Sequence, residues 1–244
     1  MSTPASGLPL GPQTGGGSSQ PGSGKSRSRA EQRRHDLAHA SLRRSLKPSS
    51  PAGAIVVTGA ILAALWIVLG IDAATGHRLF RFGVKPRELG GLYGILLTPV
   101  LHASAGQLAA NSIPLAVIGW IMLVSGMRYF AIVTASVWVA SGAIGWLTGP
   151  SHSVILGSSG VIFGWLGYVL ARAWFGRKVA WIATAVAVLA VFSGLLSGLL
   201  PKLHSNTFWG SQLAGFLAGV LVGALLHGKR KNRKNVETPL PGNL

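Results

Sequence analysis

The chain has 244 residues, of which 49% are hydrophobic and only 11% charged, and its formal net charge is +17. So small a share of charge excludes an ordinary soluble domain, and basic residues that flank apolar runs read as topology signals rather than as a nucleic-acid surface. Cysteine is absent, which excludes disulfides, zinc–thiolate sites and thiol catalysis.

Residues 1–50 are rich in Ser, Gly, Pro and Gln and then in Arg, which predicts a disordered basic segment. Within it, Ala38, Leu42 and Leu46 recur at four-residue spacing, the pattern of either a thin membrane-surface helix or a solvated linker. His35 and His39 form the only histidine pair at helical i, i+4 spacing and lie outside the apolar runs, so neither a metal nor a cofactor is expected. The first apolar run begins after about fifty polar residues, too late for a cleaved signal peptide.

Runs without Asp, Glu, Lys or Arg then extend over Pro51–Ile71, Leu89–Met127, Tyr129–Ala171, Val179–Pro201 and Leu203–Gly228. A crossing needs roughly 20 apolar residues, so each run can span a bilayer once and two can span it twice. The predicted spans are 54–71, 106–125, 130–147, 157–174, 179–200 and 208–227. The fold class is therefore an all-α polytopic membrane protein of six transmembrane helices, with a membrane domain over 51–228 and a basic tail over 229–244. Between the first two spans, Asp72–His102 is a long connection whose aromatics and glycines predict a structured loop at the interface. Counting Lys and Arg on the two sides of this arrangement gives 17 against 5, which puts both termini in the cytoplasm.

The fourth span opens with LGSSGVIFGWLGYVLA, where Gly160, Gly164, Gly167 and Ala171 draw a small-residue stripe; in the sixth, Gly215, Gly219 and Gly223 stand at strict fours. Two such stripes predict close helix–helix approach, with Ser159 and Gln212 starting their helices at matching depths. Near the second span, Gln107 and Asn111 share a helical face, either as an interhelical amide pair or as donors to an oxyanion.

In order, spacing and local motif, the stretch from the first span to the sixth resembles the rhomboid family of intramembrane serine proteases. That family has a six-helix core, a long first loop, His-x-x-x-Asn in the second helix, Gly-x-Ser-Gly opening the fourth, and a histidine ahead of Gly-x-x-x-Gly in the sixth. Gly157, Ser159 and Gly160 match the nucleophile motif, Gly215 and Gly219 the last motif, and Asn111 the asparagine. Phe163 stands where the family carries an aromatic against the catalytic imidazole, and His102 matches a histidine often found upstream. Two positions depart from the pattern. Gln107 replaces the histidine of the second helix, an oxyanion position, and Gln212 replaces the general-base histidine of the sixth.

A carboxamide has no accessible protonation change near neutral pH and cannot serve as that base. His102 lies nine residues before Asn111, about 13 Å along a helix, too far from the polar cluster to replace it unless the helix begins later and the chain folds back. The resemblance thus implies a serine-protease homologue with an incomplete dyad, acting on transmembrane segments of client proteins; the Ala, Gly and Arg richness with a basic tail fits a bacterial plasma membrane, and basic residues placed beside the apolar runs leave no nucleic-acid partner expected. The alternative is an active endopeptidase that uses Ser159 with another base. A transporter or channel is weaker, because the spans lack charged groups.

Overall fold

The computed structural model describes residues 50–194 and 208–228. Six long helices carry most of these residues: α1 Pro51–Ala74, α2 Ala105–Val124, α3 Met127–Thr148, α4 Ser159–Gly176, α5 Val179–Phe192 and α6 Trp209–His227. Each falls on one predicted span. The basic N-terminal segment with its Ala38, Leu42 and Leu46 spacing, the end of the fifth span and the basic tail lie outside the described residues.

By length and composition α1, α2, α3 and α6 can each cross a membrane. α4 is 18 residues long but less apolar, and its position explains why: Gly160–Val169 are all buried, so its neighbours meet the lipid instead. α5 is described over 14 residues. The bundle is apolar outside and partly polar inside. Ile55, Ile67, Ile113, Val191 and Leu221 are each at least 60% exposed, while Asn111, Ser141 and Gln212 are buried. In water such an outer face would be an aggregation surface, so the helices are embedded in a lipid bilayer.

α4 is the hub, packed on α2, α3 and α5 and most extensively on α6. Glycine makes that contact possible. A Cβ on Gly215 would stand 2.1 Å from the Gly160 carbonyl oxygen, and one on Gly219 would stand 1.9 Å from that of Gly164. The α6 stripe therefore lies directly on the α4 backbone, as expected. The α4 stripe is divided: Gly160 and Gly164 turn their own Cβ directions toward Ser141 and Val137 of α3, and Gly167 faces the Phe216 carbonyl of α6. One set of small residues thus seats two neighbours.

The first loop is structured, with 3-10 turns at Phe80–Phe82 and Leu89–Gly91 and a single helical turn at Gly94–Leu97. It is fastened to α3 and to the segment before α4. Arg87 donates to the Gly149 carbonyl at 2.8 Å, Trp146 Nε1 to the Glu88 carbonyl at 2.8 Å, and Trp138 Nε1 to the Ile95 carbonyl at 2.9 Å. Val84 and Ile155 form an isolated antiparallel bridge, and the Thr98 hydroxyl donates to Ile155 at 3.1 Å. These bonds carry the loop across the end of the bundle where α4 begins.

Candidate functional site

The start of α4 needs a sharp turn, and Gly157 supplies it with φ 115°, a backbone conformation that a side chain resists. Its N–H is anchored on the Thr98 carbonyl at 2.9 Å. Ser158 is the N-cap and Ser159 the first helical residue, so the two hydroxyls leave the turn in different directions. Ser159 is half-buried and lines a cavity of about 690 Å³. Thr98, Gln107, Ser141, Ser211 and Trp209 share that lining, which holds no charged side chain.

Gln107 belongs to a capping-box sequence, Ser104-x-x-Gln107, with its amide reaching one residue past the N-cap. Ser104 caps α2 by accepting from the Gln107 N–H at 3.1 Å, and Gln107 Oε1 in return accepts from the Ala103 N–H at 2.8 Å. Gln107 Nε2 donates to the Leu156 carbonyl at 3.1 Å, so this amide ties the entry of α2 to the turn before α4. The amide orientation follows, since an N–H requires the oxygen and a carbonyl requires the nitrogen. One hydrogen on Nε2 is left beside the cavity.

The other expected polar groups are buried and do not line the cavity. Asn111 is buried one turn beyond Gln107, and its Nδ2 has no hydrogen-bond partner among the described residues. Gln212 is buried next to Ser211, whose carbonyl lies 3.3 Å from where a Cβ on Gly160 would be. Phe163 is buried one turn into α4. Among the described residues neither the Ser159 hydroxyl nor the Gln212 carboxamide takes a hydrogen-bond partner. The sequence brings Ser159 and Gln107 to one cavity and leaves Asn111, Phe163 and Gln212 off its lining.

His102 takes the exception to helical reach, a later helix start with the chain folded back. α2 begins at Ala105, so His102 precedes the helix and folds back toward α4. Its Nε2 lies 3.2 Å from Ser158 Oγ and 3.4 Å from the Ser158 N–H. An Nε2 that accepts from both donors places the ring proton on Nδ1. Burial pushes the imidazole down from 6.5 to about 4, against a smaller opposing effect of the Val100 backbone, so it is neutral at pH 7. A serine–histidine contact therefore exists, on the serine beside Ser159. Ser158 is only 3% exposed and does not line the cavity.

Ser141 and Ser211 are cavity groups that the motifs passed over. Both belong to helices crossing α4 at Gly160, and the Ser211 hydroxyl is buried without a partner among the described residues. A serine in an apolar run carries little signal by itself, because such residues commonly serve only helix packing.

Comparison with known proteins agrees with this architecture. The Rhomboid domain family matches residues 89–229. An uncharacterized protein of Mycobacterium tuberculosis is 38% identical over 172 residues, 68% of this chain and 72% of the relative. An uncharacterized protein of Mycobacterium leprae is 37% identical over 180 residues, 70% of this chain and 71% of the relative.

Proposed function

The chain belongs to the rhomboid family, and from that premise we propose that it is a catalytically impaired member that binds transmembrane segments of client membrane proteins without cutting them. The observation that carries this reading is Ser159, which lines the cavity with its hydroxyl unpartnered among the described residues, while Gln212 stands where the family's base is expected. Binding and cleavage have different requirements. A peptide carbonyl needs donors, and Gln107 Nε2 and the Ser159 and Gly160 N–H groups, unpartnered among the described residues, are of that kind. Cleavage also needs a group that removes the serine proton and returns it to the leaving amine, which a carboxamide cannot do. Loss of that base costs a serine protease on the order of 10⁶ in rate.

The His102–Ser158 contact favours a second reading, an active endopeptidase whose base is the neutral His102 imidazole. A fluorophosphonate probe separates the two. The purified full chain is expected to remain unlabelled. Labelling that disappears in Ser159→Ala and in His102→Ala would establish the second reading instead.

The proposal includes six spans with both termini in the cytoplasm, supported by the distribution of basic residues and by the positive-inside rule. Alkaline phosphatase fused after Leu244 is expected to be inactive in bacterial cells. An active fusion would reverse the orientation or change the number of spans.

A further inference from the structure

At the end of the bundle opposite Ser159, α3 begins and α4 ends. Arg172 there donates to the Tyr168 hydroxyl at 3.0 Å, and its guanidinium lies 5.1 Å from the Tyr129 ring and 3.9 Å from that of Trp181. Arg128 in the first turn of α3 and Arg177 and Lys178 in the connection between α4 and α5 lie at the same end. The only acids among the described residues are Asp72 and Glu88. Both belong to the first loop side, where Asp72 binds His77 and the Leu79 N–H, and Glu88 is fastened to Trp146 at the far end of α3. The end at which α4 stops is thus cationic without a carboxylate partner among the described residues.

A lipid-facing groove between α4 and α5 leads into this region. Its volume is about 580 Å³, and its walls include Leu170 and Ala173 of α4 and Ala185, Val186 and Leu189 of α5. One charged residue lines it, Arg177, which sits at the helix junction in the left-handed region with φ 47°. Trp174, 73% exposed, lines the same end. Along α5 the groove reaches Leu189, ten residues beyond Val179, or about 15 Å at 1.5 Å per residue. That equals half of a hydrocarbon core of about 30 Å, the depth of one leaflet. An occupant must therefore be apolar over the length of an acyl chain and negative at one end.

We propose that the α4–α5 groove seats an acyl chain of an anionic phospholipid from the surrounding bilayer, with the lipid phosphate held by Arg177. The apolar walls select the chain and the unpaired cation selects the headgroup. Either feature without the other would describe ordinary lipid contact. Their junction at one helix boundary makes the site specific, because a zwitterionic lipid brings its own cation to Arg177 and gains less.

The full-length protein reconstituted in phosphatidylcholine bilayers provides the test, with brominated phosphatidylglycerol or brominated phosphatidylcholine added as quenchers of tryptophan fluorescence. Phosphatidylglycerol is expected to reach half-maximal quenching at an about five-fold lower mole fraction, the size of one favourable basic contact. Trp174→Phe should remove most of the preferential component, which locates it at the groove. Arg177→Asn, a residue that tolerates the left-handed backbone, should abolish the preference, as should Val186→Phe, which fills the groove from a position already 62% exposed. Arg128→Asn, at the same end but outside the groove, should leave it intact. Equal quenching by the two lipids overturns the proposal. So does a preference that survives in Arg177→Asn or Val186→Phe, and so does an equal loss in Arg128→Asn, which would mean attraction to the whole basic face. Inorganic phosphate added at the same concentration as the anionic lipid should not compete, and competition would show an anion site without the chain.

Discussion

Gly219→Ala is expected to unfold the bundle in detergent under conditions where Gly70→Ala leaves it intact. A methyl group at Gly219 would stand 1.9 Å from the Gly164 carbonyl oxygen and 3.0 Å from the Tyr168 nitrogen. Both are backbone atoms of α4, the helix that α2, α3, α5 and α6 all pack against, so no flexible side chain can move aside. The two helices must separate or shift along each other. Separation strips contacts from the whole α4–α6 seam, including Gly215 on Gly160 at the mouth of the cavity. Overpacking of this kind costs about 3 kcal/mol or more when backbone has to move. For a chain of this size the melting temperature should fall by roughly 6–12 °C. Gly70 has nothing within 4 Å of its Cβ direction, and alanine there gains at most about 1 kcal/mol of helix propensity. Equal melting temperatures for the two variants would contradict the close approach of α4 and α6.

That seam was legible in the sequence because a stripe of small residues at spacings of three and four has one physical use in a lipid-embedded helix, which is close approach. The helices themselves were legible for a similar reason, since charge is excluded wherever lipid is met. The division of the α4 stripe between α3 and α6 was not, because spacing along one helix does not say which neighbour each glycine meets. The tethers of the first loop were hidden for another reason. Arg87 and Gly149 are 62 residues apart and leave no periodic trace. His102 is different, since a signal for it was present. Ser104-x-x-Gln107 is a capping-box sequence and marks Ala105 as the helix start, which puts His102 in a turn, where distance along a helix axis does not apply. The same box changes the reading of Gln107, whose amide is engaged at both ends before any substrate arrives.

Restoring the base should restore reactivity. Gln212→His is expected to make Ser159 react with a fluorophosphonate probe and to give detectable cleavage of transmembrane substrates, while the unaltered chain does neither. The reasoning starts from the cavity. Ser159 already lines it, Gly157 already holds the turn that presents the hydroxyl, and the α6 residue beside Gln212 already lines the opposite wall. What is missing is a side chain with a pKa near the working pH, and imidazole supplies one. Since removing a serine protease's base costs on the order of 10⁶, even a small recovered fraction of the lost rate would stand far above background. Gln107→His added to Gln212→His should change the rate by far less. It alters an oxyanion donor, an effect of about 10²–10³, and it also breaks the bonds to Ala103 and Leu156 that hold the turn in place. The order of the two effects distinguishes the base from the donor. If the donor substitution gave the larger gain, Gln212 would not be the defect. If the unaltered chain cleaved substrates and lost that activity in Ser159→Ala, the base would lie elsewhere, and His102→Ala would show whether it acts from beside Ser158.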